Sequence, residues 1–578
     1  MNPRANVGFR LALSLWLLFA GSLASAQSAR VYFSPPENLS HNSPDSALSY
    51  STHIAVDAHG NLNIIWAEMD CIQVFPFTCT WHLFYTRSED GGATFSTPKD
   101  IANQSPGDAL FGPQIAISPK GAINVAWEGD STGADIFFAR STDEGATFSL
   151  PIDVSLDNGL AADPEIAIDD HGMIGLVWAA VNPDDTVSSF FSRSTDGVNF
   201  SVPDELCGTG ESCNAPQIAF DHHGNIDLVW SGAACASCTQ DAVFSRSMDS
   251  GANFSAPLNL SNSTDPMVTA PQITLDEKGA VNVVWSKNTS GTAQVYFARS
   301  ANGVIFSTPL VLSVGPGNST FPELAIGSAR DHAGLHGEIH DEVFGSRLAL
   351  AAKNQRNFCA PNRDAINAAW FNDASGEIFF SRSVNDGRTF STPKAISTPT
   401  GGSGTEPYIA VDSDGRINLV WEDSATAAIL FTRSNDGGAT FSTPRSISAA
   451  STFSFSPQIV LDREGNLNVS WFDATNPIED VFFSRGTSLN MLRKEARDLP
   501  GSDFQHGNKR DAVLDRLEKA KRALKGNDRG RAVNDLSDLQ QHLNGCGSSP
   551  DSNDWIIACK AQVEIRNSLK IVMTGLSH

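Results

Sequence analysis

An all-β fold is predicted for this chain: an eight-bladed β-propeller of four-stranded antiparallel blades closed by its N-terminal strand, plus a small C-terminal three-helix domain. Three observations predict it. The string "RSEDGGATFSTP" at residues 87–98 returns as "RSTDEGATFSLP", "RSTDGVNFSVP" and "RSMDSGANFSAP". Its arginine recurs at Arg87, Arg140, Arg193, Arg246, Arg299, Arg382, Arg433 and Arg485. Between these copies run strings such as "PQIAISPKGAINVAW", with 14 residues from proline to tryptophan in six copies. Eight of the eleven tryptophans (Trp66, Trp127, Trp178, Trp230, Trp285, Trp370, Trp421 and Trp471) close these strings, so they are core residues before anything else.

The chain opens with two arginines, an apolar run and Ala24-Ser25-Ala26, the layout of a secretory signal peptide over residues 1–26. A secreted or periplasmic product is expected, with no membrane span, since no later stretch is apolar long enough. The formal charge is -25, and the leader holds Arg4 and Arg10, so the mature chain is more acidic still. Such a surface repels nucleic acid and anionic lipid.

The propeller is placed at residues 27–488. Each unit reads as four strands, for example "IAFD", "IDLVW", "AVFSRS" and "FSAPLNL", separated by Gly, Asp and Ser turn chemistry. The eighth unit stops at "VFFSRGTS" without a fourth strand, whereas "VYFSPPENLS" near the mature N-terminus is an orphan copy of one. Residues 31–40 are therefore expected to complete the last blade and remove two exposed edges.

The motif Ser88, Asp90, Gly92, Thr94, Phe95 resembles the Asp-box of bacterial neuraminidase repeats. Ser141, Asp143 and Gly145 repeat it, and weaker copies contain Asp196, Asp249, Gly251, Asp386 and Asp436, with Asn302 replacing the aspartate once. The resemblance covers roughly residues 31–485 and implies a sialidase-like propeller. It also implies a structural box, in which Ser88 and Asp90 satisfy turn amides while Phe95 plugs the blade. Sialidases grip a carboxylate with three arginines and use a tyrosine–glutamate pair with an aspartic acid. Here the repeated arginines end the third strands beside the box turns, and the loops "WEGDSTGAD", "WSKNTSGTAQ", "WEDSATAA" and "WFDATNPIED" on the opposite face hold none. The sialidase catalytic set is thus not matched.

With strands lettered A to D, the B–C and D–A connections share the face opposite the boxes. Tryptophan to the next arginine varies from 12 to 21 residues there, which points to specificity built on that face. The longest loop offers Phe75, Phe77 and Trp81; acids following the tryptophans are Glu68, Asp70, Glu128, Asp130, Asp373, Glu422, Asp423 and Asp473. His53, Gln114, Glu165, Gln217, Gln272, Glu323, Tyr408 and Gln458 start the A strands and would complete a polar ring. That ring suits a glycan or protein ligand, a cationic group or a calcium ion, or is a solvated rim. A binding module, monomeric and with no other cofactor, is expected; the alternative is a glycoside hydrolase or lyase using Glu128 and Asp423 as acid and base.

Four cysteine pairs, Cys71/Cys79, Cys207/Cys213, Cys235/Cys238 and Cys546/Cys559, read as disulfides in an exported chain, leaving Cys359. The alternative is a four-thiolate zinc site from "CGTGESC" and "CASC". Blade six spans 48 residues from Pro322 to Trp370, an insertion at about 327–363. Its His332, His336 and His340 step by four as metal ligands on a helix would, with Glu338 and Asp341 beside them, but two glycines weaken that helix and favour a metal-free insert. A linker is expected at 489–504 and three glycine-stopped helices at 505–578. They resemble small helical modules at the C-termini of exported bacterial proteins, and their lysines and arginines suit an acidic surface or a solvated face.

Overall fold

The computed structural model describes residues 30–577 except 41–46, 73–77, 103–108, 131–133, 157–159, 183–185, 208–211, 233–239, 262–267, 290, 328–364, 398–403, 449–452, 476–477 and 546–552. After two short strands, β1 (Tyr32–Phe33) and β2 (Glu37–Asn38), the first module runs antiparallel through β3 (Ala47–Val56), β4 (Leu62–Ile72), β5 (Thr78–Ser88) and β6 (Lys99–Asp100). Six separate four-stranded sheets follow, with first strands Ala109–Ile117, Leu160–Ile168, Cys213–Phe220, Val268–Leu275, Ser319–Gly327 and Gly404–Val411. The last module has three strands of its own, Phe453–Leu461, Leu467–Thr475 and Ile478–Thr487. Both β1 and β2 pair with the outermost of these, Tyr32 opposite Thr487 and Glu37 opposite Phe483. The first strand of each module touches that of the next, and Phe453–Leu461 touches β3. Four-stranded antiparallel sheets packed in this sequence are a β-propeller architecture.

The eight repeated tryptophans are fully buried. Most lie on the aromatic residue opposite them in the third strand, as Trp178 does on Phe190 and Trp471 on Phe482. Both faces of a sheet are covered by its neighbours, so second strands read as continuous apolar runs rather than alternating ones. One cluster joins Ile218, Trp230 and Phe244 of one sheet to Val283 and Trp285 of the next.

Asp90 Oδ1 accepts from Ala93 N (3.0 Å) and Thr94 N (2.9 Å), and Ser88 Oγ accepts from Gly92 N (2.8 Å). The Phe95 ring packs against the core of its own module, which includes Leu62 and Trp66, and also on Phe483 of the preceding module (centroids 5.0 Å apart). Phe148 on Tyr85, Phe200 on Phe138 and Phe441 on Phe380 repeat the arrangement, so the box joins neighbouring sheets. The turn at Asp386 departs from the expected assignment. Asn385 occupies the box position, accepting from Ser383 Oγ (3.0 Å) and Thr389 N (3.0 Å). Asp386 is the next residue, at the left-handed apex of the turn with φ 56°.

Each first strand also carries a bulge, just before its proline in seven modules and just before Thr52 in the first, a feature the sequence did not announce. The bulged residue is left-handed at Ser51, Gly112, Asp163, Ala215, Phe321, Glu406 and Ser456. Apart from the pairing of Leu48 in β3 with Glu479, a first strand pairs on one side only, and a proline there has no amide to donate, so an extra residue is accommodated at that edge.

The expected linker begins instead as a helix, α1 (Leu489–Asp498), followed by α2 (Gly507–Lys525), α3 (Arg529–Gln541) and α4 (Cys559–Ser577). Among the described residues the tail therefore has four helices rather than three. Ser488 caps α1 by accepting from Met491 N, and Leu489, Leu492 and Ala496 bury in a core with Leu517, Leu536 and Leu569. Tyr32 of β1 joins that core. Lys494 of α1 donates to Ser413 Oγ (3.1 Å) and Arg463 O (2.7 Å), which seats the helices on the box side of the propeller. No helix among the described residues is long and apolar enough to cross a membrane.

Cys71–Cys79 and Cys207–Cys213 are disulfides, so the latter two cannot serve a four-thiolate zinc site. Cys559 is disulfide-bonded as well. Cys235, Cys238, Cys359, Cys546, His332, His336 and His340 lie outside the described residues.

Candidate functional site

The repeated arginines end the third strands, and on the same side of the sheet lies the tight turn joining the first two strands. An aspartate closes that turn; Asp57 Oδ1 accepts from His59 N (2.8 Å) and Asn61 N (2.9 Å). Its other oxygen meets the arginine: Arg87–Asp57 at 3.0 Å, Arg299–Asp276 at 2.5 Å, Arg433–Asp412 at 2.8 Å and Arg485–Asp462 at 2.9 Å, with Arg246–Asp221 alike. Arg140, whose turn carries Ser118 instead, donates to Asp196 O (2.6 Å) of the next module. These guanidinium groups are bound in place on the box side, away from the opposite mouth.

At the other end of the first strands the polar ring is buried rather than solvated. His53 Nδ1 accepts from Ile115 N (3.0 Å), Gln217 Nε2 donates to Glu165 Oε1 (3.3 Å), and Gln458 Nε2 to Tyr408 Oη (3.4 Å). Each bond crosses to the neighbouring module. An inner strand leaves amides unpaired on its free edge, and a polar side chain from next door can cap them. Tyr408 is thus 0% exposed and does not stand at the mouth; Glu165 and Glu323 are buried too.

Several rim carboxylates are engaged in local structure. Glu68 Oε2 accepts from Trp66 Nε1 (3.1 Å) and Ser49 Oγ (3.4 Å), and burial pushes its carboxyl up to about 7. Asp473 accepts from Trp471 Nε1 at 3.1 Å. Asp423 closes its own turn by accepting from Thr426 N (3.1 Å) and Thr426 Oγ1 (2.6 Å). Asp373 accepts from Asn318 N (2.6 Å) and Nδ2 (2.9 Å). Glu128 and Glu422 are half-buried, Glu128 in a different sheet from Asp423. Asp130 pairs with Ala109 across its sheet. Trp81 is half-buried and packs edge-on against Phe111 of the next module (4.9 Å), whereas Phe75 and Phe77 lie outside the described residues. Among the described residues no group of three or more His, Cys, Asp or Glu could hold a metal ion.

The bulge residues Asp163, Phe321 and Glu406 are candidates that sequence reasoning missed. Their signal is the place immediately before the repeated proline, where other modules hold Ser, Gly or Ala. Phe321 is 40% exposed.

No family model matches this sequence, and no curated protein matches it. Solved structures similar to it include a protein of unknown function from Dyadobacter fermentans, 13% identical, covering 79% of this chain and 99% of that one at a TM-score of 0.38. An ulvan lyase from a new polysaccharide lyase family is 12% identical, covering 72% and 97%, with a TM-score of 0.40. The NanB sialidase from Streptococcus pneumoniae is 10% identical, covering 82% and 97%, with a TM-score of 0.35.

Proposed function

We propose that this chain is an exported, eight-bladed propeller, closed by residues 31–40, that binds a glycan on the face formed by its B–C and D–A loops. The observation that carries the reading is the division of charge and aromatic surface between the two faces. Five of the eight repeated arginines are spent on turn aspartates of the box side. The other face offers Trp81 beside Phe111, an exposed Phe321, and carboxylates. Flat apolar rings beside hydrogen-bonding groups suit the two faces and hydroxyls of a sugar, and a mouth with no guanidinium group among its described residues favours a neutral or cationic sugar over an acidic one. The disulfides Cys71–Cys79 and Cys207–Cys213 fit an oxidising compartment. Screening the purified protein on a glycan array tests the reading. Binding is expected, weakened roughly tenfold or more in Trp81→Ala; an array without signal would overturn it.

A glycoside hydrolase is the second reading, favoured by one observation. Glu68 is buried and holds its proton to about 7, the property a glycosidase's acid requires. Turnover of chromogenic glycosides that disappears in Glu68→Gln would establish it.

A further inference from the structure

Where the first strand of the chain meets the helical tail, the structure gathers cations. Arg445, in the outer strand Arg445–Ser446 of the module before the last, donates to the Val31 carbonyl at 2.5 Å and holds its guanidinium 5.2 Å from the centre of the Phe33 ring. Arg30 stands over the Tyr32 ring at 5.6 Å. Tyr32 is itself pressed on Gly575 of α4, where a Cβ would come within 2.1 Å of the ring. Burial raises the Tyr32 hydroxyl above its ordinary value, and the charges of Arg30, Arg529 and Arg445 act against that rise. Arg529, the first residue of α3, therefore lies near the same ring, and one short strand brings together arginines from three parts of the chain.

The chain has 65 acidic residues against 40 lysines and arginines. Even so, among the described residues none of these three arginines forms an ion pair with a carboxylate, whereas Arg433 and Arg485 nearby in sequence each hold a turn aspartate. Asp528, next to Arg529, is engaged as the cap of α3, accepting from Arg531 N at 2.9 Å. Arg445 is half-buried, and burial, then Arg30, pushes it down to about 10 against the opposing pull of Tyr32. Like charges held this close, one of them partly withdrawn from water, call for a counter-charge. Arg30 and Arg529 are exposed, so a small anion can reach the cluster from solvent.

We infer that this seam is a binding site for a single sulfate or phosphate group, held by Arg30, Arg445 and Arg529. Guanidinium forks match such oxyanions, and a tetrahedral group presents acceptor oxygens in more directions than the two of a carboxylate, which suits donors arriving from three elements. A dianion also offsets two of the three positive charges, where a carboxylate offsets one. The acidic surface around the seam repels a long polyanion, so the ligand is a free ion or one ester group on a small molecule. Bound there, it ties the N-terminal strand and the neighbouring module to the helices.

Thermal unfolding of the full chain in sodium sulfate, sodium phosphate or sodium acetate, each against sodium chloride at equal ionic strength, tests the site. Sulfate or phosphate is expected to raise the midpoint and then level off. Arg30→Gln and Arg529→Gln, both at exposed positions, are expected to keep the chloride midpoint and to raise the half-saturating concentration roughly tenfold each. Glucose 6-sulfate separates the two sources: half-saturation below that of inorganic sulfate points to an ester, and half-saturation at or above it to the free ion. A response to acetate as strong as that to sulfate overturns the assignment of a tetrahedral dianion. A rise that both variants leave untouched overturns the site itself, whether it levels off or climbs on as the general stabilisation that excluded salts give any fold. So does a midpoint that neither sulfate nor phosphate moves.

Discussion

Three residues before the repeated tryptophan, six modules carry asparagine: Asn63, Asn124, Asn282, Asn367, Asn418 and Asn468. The amide group donates to main-chain carbonyls, as Asn124 does to Ala122 O at 2.9 Å, and its oxygen can receive the repeated arginine, as Asn282 does from Arg299 at 2.7 Å. The fourth module has Asp227 there, fully buried, with neither oxygen hydrogen-bonded and Oδ1 3.5 Å from Arg246 Nε. A carboxylate has nothing to donate where the asparagines give an N–H, and burial, opposed by Arg246, pushes Asp227 up from 3.8 to about 7. The folded chain therefore keeps a proton that the unfolded chain gives up, so stability falls as pH rises between those two values. Asp227→Asn is expected to raise stability by about 1–3 kcal/mol in alkaline buffer and to flatten that part of the pH profile. Thermal unfolding across the pH range checks it; an unchanged slope would show that the acid is ionised in the native state.

The box is the element at which local chemistry becomes contact between sheets. Hydrogen bonds from Thr147 hold Asp143 down to about 2, and those from Asn253 do the same for Asp249. Depressed carboxyls contribute above their unfolded value and stop doing so as pH falls through the folded one, so acid unfolding is expected between about pH 4 and about pH 2. Replacing Gly92 by alanine should cost about 2 kcal/mol or more, since φ is +76° and a Cβ would strike Phe483 of the preceding module; urea denaturation measures the loss. Much of this element was legible in the sequence, because Ser88, Asp90 and Thr94 satisfy one another within seven residues. The added contact of Phe95 with the preceding module was not, since spacing along one module cannot report which neighbour a ring reaches. Asp386 was misread because Asn385 can accept the same two bonds, and the more acidic residue drew the assignment. The bulges were hidden because the residue before a proline reads as ordinary extended chain. At the mouth, spacing did collect the acids, but whether Asp423 faced solvent or Thr426 depended on the turn it closes.

The two parts of the molecule meet over a buried cluster of charges. Arg485 and Asp462 of the last module lie against Glu495 of α1, with Glu464 and Glu564 close by, and Glu495 Oε2 accepts from Ser568 of α4 at 3.0 Å. Burial, opposed by Arg485, raises Glu495 from 4.5 to about 8. Its contribution to the seam is therefore present in acid and lost as pH rises through the upper value. Hydrogen exchange in α1 and α4 is expected to quicken between about pH 6 and about pH 9, and Glu495→Gln to weaken that dependence. Identical exchange in the two proteins would mean that the seam does not respond to this group. The linker reading of 489–504 missed the seam because the apolar face of α1 is only three short turns long beside the longer helices that follow. Ser34 hydrogen-bonds to Ser484, 450 positions away along the chain, and Tyr32 enters the helical core. A ribosome delivers the earliest of these residues long before their partners exist. Assembly must therefore hold that segment idle until nearly all of the polypeptide has emerged, and a product truncated anywhere before Ile478 would keep a raw edge open to aggregation or to chaperones.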